Sequence, residues 1–335
     1  MPDLSTFPRF QLAHLPTPFE EWSRLGAELG VKLFAKRDDC TGLAFGGNKT
    51  RKLEFLVGDA LAQKATCLMT VGAIQSNHCR QTAAAANKAG LPCHLVLVDQ
   101  VPIKTPPYIH SGNVLLDHLL CATIHMVPNK ADAPDFILNL IGELQAAGET
   151  PYFMPPGGST AVGALGYVAC AQELAAQADA AGIKLKHVVV ASSSAGTQAG
   201  LIAGFASMGA DINVHGVNVY EDDPAKLGEA VAKLASETLT LLKSGAHVPD
   251  IIVHGDYRGE GYGIPTDGMI EALNLTARHE AVLLDPVYSG KGMAGLIGLA
   301  RAGTFGAGEG VCFIHTGGTP GLFAYAPELN AAFKG

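Results

Sequence analysis

Charge is scarce in this chain: of 335 residues only 16% are Asp, Glu, Lys or Arg, against 48% hydrophobic, so sizeable cores can be buried. The net charge of -8 is acidic, and neither a basic tail nor a basic aromatic stripe occurs, which excludes the electrostatic footprint of a nucleic-acid binder. The 7 cysteines are odd in number and form no C-x-x-C pair. Several lie in apolar segments, the pattern of free thiols in a reducing, cytoplasmic compartment rather than of a disulfide frame. Met1–Pro8 has no apolar signal core, and no apolar run is long enough to span a membrane. No two histidines share a metal-ligand spacing such as H-E-x-x-H, so no metal is expected, and His118 and His125 are expected in ordinary structural roles. No internal repeat or low-complexity linker divides the chain.

What the chain has in quantity is glycine, 40 residues of it, mainly at strand ends and helix starts. That placement suits tight βα turns and close backbone approach to a ligand. From Cys67 onward short apolar runs alternate with helical patterns. The runs predict strands over Cys67–Val71, Cys93–Val98, Thr123–Val127, Pro151–Met154, His187–Ala191, Ile212–Tyr220 and Gly310–His315. The periodic segments predict helices over Gln75–Ala89, Gly112–Cys121, Asp135–Ala147, Ala161–Ala181, Thr197–Met208, Pro224–Lys243, Thr266–His279 and Gly292–Ala302. Val101–Pro107, with three prolines, reads as a loop. The alternation implies an α/β fold of parallel sheets with helices on both faces. With no linker to split the chain, two interleaved domains are expected, one inserted in the other. In such folds ligands sit beyond the carboxyl ends of strands. That directs attention to the loops Gly72–His78, Pro155–Thr160, Ser192–Thr197 and His315–Pro320.

The densest chemistry lies at Gly46-Gly47-Asn48-Lys49-Thr50-Arg51-Lys52-Leu53-Glu54. A helix N-terminus disfavours cations, so three of them within four positions there call for an anionic partner. A nearby cation also lowers a lysine's pKa and makes it a better Schiff-base amine, which weighs Lys49 against an ordinary surface lysine. Together these point to a phosphate-bearing cofactor, and a lysine beside such a cofactor suggests pyridoxal phosphate. Ser192-Ser193-Ser194-Ala195-Gly196-Thr197 follows a strand and opens a helix, offering backbone N–H groups and small hydroxyls to a phosphate; it is neither a P-loop nor G-x-G-x-x-G. Gln75-Ser76-Asn77-His78 offers amide, hydroxyl and imidazole at another helix start, where a carboxylate would dock. The plain alternative for both loops is an ordinary cap. Tyr262 and Tyr288 stand in Gly/Pro loops as candidate acid–base groups or as packing. Thr316 either offers its hydroxyl to a heterocyclic nitrogen or caps a turn.

These landmarks, with Lys36-Arg37-Asp38-Asp39, Gly163-Ala164-Leu165-Gly166-Tyr167, Asp285-Pro286-Val287-Tyr288 and His315-Thr316-Gly317-Gly318, resemble in their order the aminocyclopropane-carboxylate deaminase and D-cysteine desulfhydrase family over nearly the whole chain. That family belongs to the fold-type-II, tryptophan-synthase-β-like pyridoxal-phosphate enzymes. The resemblance implies two three-layer αβα domains, a larger cofactor-binding one from residues 1–51 and 163–335 and a smaller inserted one from 52–162, in a homodimer. It implies that Lys49 bonds the cofactor, that Lys52 and Ser194, Ala195, Gly196 and Thr197 hold its phosphate, and that Asn77 hydrogen-bonds its phenolic oxygen. Thr316 is expected at the ring nitrogen. Ser76, Asn77 and His78 would receive the substrate carboxylate, and Tyr288 and Tyr262 would lie over the substrate and take part in proton transfer.

Deaminases of this family carry Glu after the loop tyrosine and Leu after the late-strand histidine; here Ser289 and Thr316 stand at those positions, as in the desulfhydrases. A hydroxyl leaves the ring nitrogen closer to neutral than a carboxylate does, which suits β-elimination better than ring opening. The expected activity is a carbon–sulfur lyase acting on D-cysteine. The alternatives are an L-cysteate sulfo-lyase of the same family, less so the deaminase, a β-replacement enzyme, and a non-catalytic cofactor-binding protein.

Overall fold

The computed structural model describes residues 2–333. The strands are β1 (Phe19–Glu21), β2 (Lys32–Lys36), β3 (Cys67–Ala73), β4 (Cys93–Val98), β5 (Thr123–Val127), β6 (Pro151–Met154), β7 (Leu185–Ser192), β8 (Asn213–Asn218), β9 (Ile252–His254) and β10 (Gly310–Ile314). They form two sheets. The four-stranded one has order β5-β4-β3-β6 and is wholly parallel; the six-stranded one has order β1-β2-β10-β7-β8-β9 and is parallel except for the β1–β2 pair. The four-stranded sheet is therefore built from one continuous stretch of chain, and the six-stranded sheet from the chain on either side of it.

Alternation along each strand makes the layers, because successive side chains point to opposite faces. In the six-stranded sheet Val189, Val217, Val311 and Phe313 enter one core with Leu296 and Ile297. Val188, Val190, Val214 and Cys312 enter another with Leu201 and Phe205. In the smaller sheet Leu68, Leu95 and Leu97 face one core, and Met69, Val71, Val96 and Val98 the other. Both sheets are covered on both faces, which is why their strands read as short apolar runs rather than as polar–apolar alternation.

The ranges Cys93–Val98, Thr123–Val127 and Pro151–Met154 stand as expected. Others shift for local reasons. The helix expected from Gln75 spans Asn77–Ala89, because Ser76 is its cap and accepts from the Cys79 N–H at 3.1 Å. The late helix begins at Ser289, with Tyr288 as its cap residue. A short helix, Pro106–His110, starts inside the expected loop. Both expected domain boundaries fall inside helices, Lys49–Ala62 and Ala161–Ala180, which pack on each other. Their approach is close: a Cβ on Gly166 would lie 2.3 Å from the Arg51 carbonyl oxygen. The 7 cysteines are free, five buried and Cys40 and Cys121 exposed. No helix among the described residues is long and apolar enough to cross a membrane, and their His, Cys, Asp and Glu side chains form no cluster of three or more placed to hold a metal ion.

Candidate active site

The carboxyl ends of β3, β7 and β8 converge on a cavity of about 690 Å³. Lys49, Ser76, Asn77, His78, Ser194, Ala195, Thr197, Tyr262, Tyr288 and Thr316 all line it. Lys52 and Gly196 stand just behind the wall: a Cβ on Gly196 would lie 2.7 Å from Lys52 Nζ. The sequence-predicted residues are thus brought together from both sheets.

Lys49 opens its helix after two positive-φ glycines. Gly46 permits no side chain, since a Cβ there would lie 2.1 Å from the Asp39 carbonyl oxygen. Burial lowers the Lys49 pKa to about 8, so a usable share of its amine is neutral near neutral pH. The neighbouring cation was expected to do this; its effect falls instead on Lys52, which is driven well below the ordinary lysine value by burial and by Lys49. The third cation has another partner altogether. Arg51 turns away from the cavity and donates to Asp38 at 2.9 Å and to Glu173 at 3.0 and 3.1 Å. Tyr167 and Lys36 complete that buried network, at 2.6 Å to Asp38 and 2.5 Å to Glu173.

At one end of the cavity Ala195 adopts φ +67°, an uncommon backbone for alanine, just before the helix Gly196–Met208. The Gly196 N–H of this turn donates to the Ser194 carbonyl at 2.8 Å and to Ser159 Oγ at 3.3 Å. Ser194 and Ser159 hydroxyls meet at 2.8 Å, and Lys52 Nζ donates to the Gly157 carbonyl at 3.1 Å and to Ser159 Oγ at 3.3 Å. Lys52 has no carboxylate partner among the described residues. A Cβ on Gly157 would lie 2.2 Å from Ser194 Oγ. A buried lysine with no carboxylate partner, beside a helix N-terminus and two glycines that leave no room for a side chain, is completed by an anion that restores its charge, so the residues present fit the phosphate of the expected cofactor. Ser159 and Gly157 were not singled out in sequence; their only signal was membership of a loop after a strand.

At the opposite side lies the start of the helix Asn77–Ala89. The Asn77 Oδ1 accepts from Asn113 at 3.0 Å and Arg80 at 3.3 Å, which leaves its Nδ2 to donate into the cavity. Both ring nitrogens of His78 are buried without a hydrogen-bond partner, and burial with Lys49 and Lys52 nearby holds the ring neutral, its pKa well below the ordinary value. Ser76 both caps the helix and lines the cavity.

Tyr262 and Tyr288 bond hydroxyl to hydroxyl, and their rings tilt at 58° with centroids 5.9 Å apart. Burial raises both pKa values well above the usual tyrosine range, so both stay protonated. Tyr220 stands edge-on to Tyr262 at 5.0 Å, and Lys130 lies 4.8 Å over the Tyr220 ring. Tyr220 and Lys130 also line the cavity and carried no sequence signal. Of the two discriminating residues only Thr316 lines the cavity. Ser289 is buried and committed to Asp285, donating to Oδ1 at 2.6 Å and accepting from the Asp285 N–H at 2.8 Å.

The family model described as pyridoxal-phosphate dependent enzyme matches residues 10–317. The chain is 44% identical over 328 residues to a D-cysteine desulfhydrase of Serratia proteamaculans (strain 568), covering 97% of this chain and 98% of that one. It is 45% identical over 332 residues to a D-cysteine desulfhydrase of Salmonella newport (strain SL254), with the same coverage. The crystal structure of an ACC deaminase homologue superposes with TM-score 0.88 at 36% identity, covering 98% of this chain and 97% of that one. A threonine deaminase of Solanum lycopersicum, at 15% identity and TM-score 0.69, shares the fold. The chain belongs to the family of pyridoxal-phosphate dependent enzymes.

Proposed function

We propose that this enzyme is a β-elimination lyase that converts D-cysteine and water to pyruvate, ammonia and hydrogen sulfide. One observation carries the reading: a lysine amine of lowered pKa and a pair of protonated tyrosine hydroxyls line one cavity in a chain 44% identical to a D-cysteine desulfhydrase. When bound, pyridoxal phosphate supplies the electron sink that stabilises negative charge at the substrate's α-carbon.

The chain's own residues do the rest. Lys49 would hold the cofactor covalently, and its amine, neutral in a usable share near neutral pH, is the base for the α-proton. Lys52, Ser159, Ser194 and the helix start at Ala195, Gly196 and Thr197 would hold the phosphate. Asn77 would donate to the phenolic oxygen, and Thr316 would offer a hydroxyl to the ring nitrogen. Ser76, Asn77 and His78, at a helix N-terminus, bind the substrate carboxylate. Tyr288 and Tyr262 remain protonated, so they give a proton to the departing sulfur rather than take one from carbon. The inserted unit 52–162 and a homodimer complete the proposal; a molar mass in solution twice that of the chain tests the latter.

Lys130 on the cavity wall favours a second reading, elimination of sulfite from L-cysteate, because a sulfonate calls for a cation. Assaying sulfide, sulfite, pyruvate and 2-oxobutanoate from D-cysteine, L-cysteate and aminocyclopropane carboxylate separates the desulfhydrase from the sulfo-lyase and the deaminase.

A further inference from the structure

Lys291 is an expensive residue where it stands. Its side chain is wholly buried, in the first turn of the helix Ser289–Arg301, where the helix dipole disfavours a cation. Among the described residues it forms no ion pair with a carboxylate; of the charges that act on it, Arg258 opposes its own and Asp285 favours it. Its partners are two backbone carbonyls: Nζ donates to Arg258 at 2.6 Å and to Gly261 at 3.1 Å. An ammonium taken out of water needs such partners, and the choice of them is informative.

Both carbonyls belong to the segment between β9 and the helix Asp267–Glu280, which has no regular structure of its own. That segment carries Gly259 and Gly263 at positive φ and Gly261 between them. A stretch with a glycine at every second position has many conformations to lose. Tyr262 sits between Gly261 and Gly263, and its hydroxyl must meet that of Tyr288, three residues before Lys291. One helical turn therefore carries Tyr288 directly and reaches the Tyr262 loop through the Lys291 ammonium.

We infer that Lys291 is a positioning residue: it tethers the Arg258–Gly261 backbone to the turn that bears Tyr288, and so holds the two tyrosine hydroxyls together for proton delivery to the leaving group. The inference rests on the tyrosine reading given above.

A double-mutant cycle on the holoenzyme tests it, with Tyr262→Phe, Lys291→Met and the pair. Lys291→Met is expected to lower kcat by up to about 10²-fold, the scale of a small misplacement, while KM and bound cofactor change little. The pair is expected to be no worse than the more damaging single change, because both act through one hydroxyl. Lys291→Gln, which keeps two N–H donors in a neutral side chain, is the second variant should the methionine fold poorly, and is expected to fall between wild type and Lys291→Met. Additive losses, or a fall in bound cofactor that accounts for the lost rate, would overturn the positioning role. An unaffected Lys291→Met beside an impaired Tyr262→Phe would overturn it too while leaving the tyrosine reading intact. An unaffected Tyr262→Phe would sink the tyrosine reading itself, and the positioning role with it.

Discussion

Gly157 stands between Lys49 and Lys52: its carbonyl accepts from Lys52 Nζ at 3.1 Å, and a Cβ built on it would lie 3.2 Å from Lys49 Nζ. Its φ of +67° adds a backbone reason for glycine. Gly157→Ala therefore meets both strain, about 1–3 kcal/mol for such a backbone, and a clash with Ser194 Oγ. Cofactor affinity is expected to fall about tenfold or more, the equivalent of about 1.4 kcal/mol. Titration of the cofactor-free protein with pyridoxal phosphate, followed by absorbance, measures it.

The lowered pKa of Lys49 has a direct kinetic consequence. Only the neutral amine attacks a carbonyl, so the rate of cofactor uptake by the cofactor-free protein should rise with pH and reach half its maximum near pH 8. A midpoint near the ordinary lysine value of 10.5 would contradict the burial that the cavity imposes.

Lys49→Ala is expected to remove turnover altogether and, with it, the visible absorbance of covalently held cofactor. Lys52→Ala should keep that absorbance when the cofactor is supplied in excess but weaken its binding, because it removes the lysine without a carboxylate partner from the phosphate end. Spectra of both variants at several cofactor concentrations distinguish the two roles.

Stability is set one layer behind the site. Arg51 joins Asp38 and Glu173, and removing one member of a buried ion cluster leaves charges without partners. Arg51→Met is expected to cost about 3 kcal/mol or more, read from urea unfolding. Arg51 and Lys36 hold the Glu173 pKa at about 2, below its ordinary 4.5. A carboxylate depressed in the folded state stabilises above its unfolded pKa and loses that contribution as pH falls through the folded one. Unfolding free energy should therefore decline between about pH 4.5 and pH 2, and less steeply in Glu173→Gln.

Much of this was legible in the sequence, for physical reasons. Doubly covered parallel strands are short apolar runs, so β4, β5 and β6 could be read to the residue. β1 and β2 could not: β1 is three residues, Phe-Glu-Glu, and β2 ends on Lys36, whose charge is hidden by Glu173 rather than by solvent. Lys49 was legible because cations at a helix start need explaining. Arg51 carried the same signal and had a different cause, since its carboxylates come from residues 38 and 173, the latter far away in sequence. Tyr220 and Lys130 reach the cavity, and Ser159 reaches Lys52 behind its wall, only through the fold, and loop serines and glycines are too common to stand out.

The most direct test is product analysis with the purified, cofactor-loaded protein offered D-cysteine, L-cysteine and L-cysteate in separate reactions. Sulfide and pyruvate in equal amounts from D-cysteine are expected, with none from the same preparation of Lys49→Ala. Sulfite and pyruvate from L-cysteate with no sulfide from D-cysteine would contradict the desulfhydrase reading and give the Lys130 wall its charged substrate.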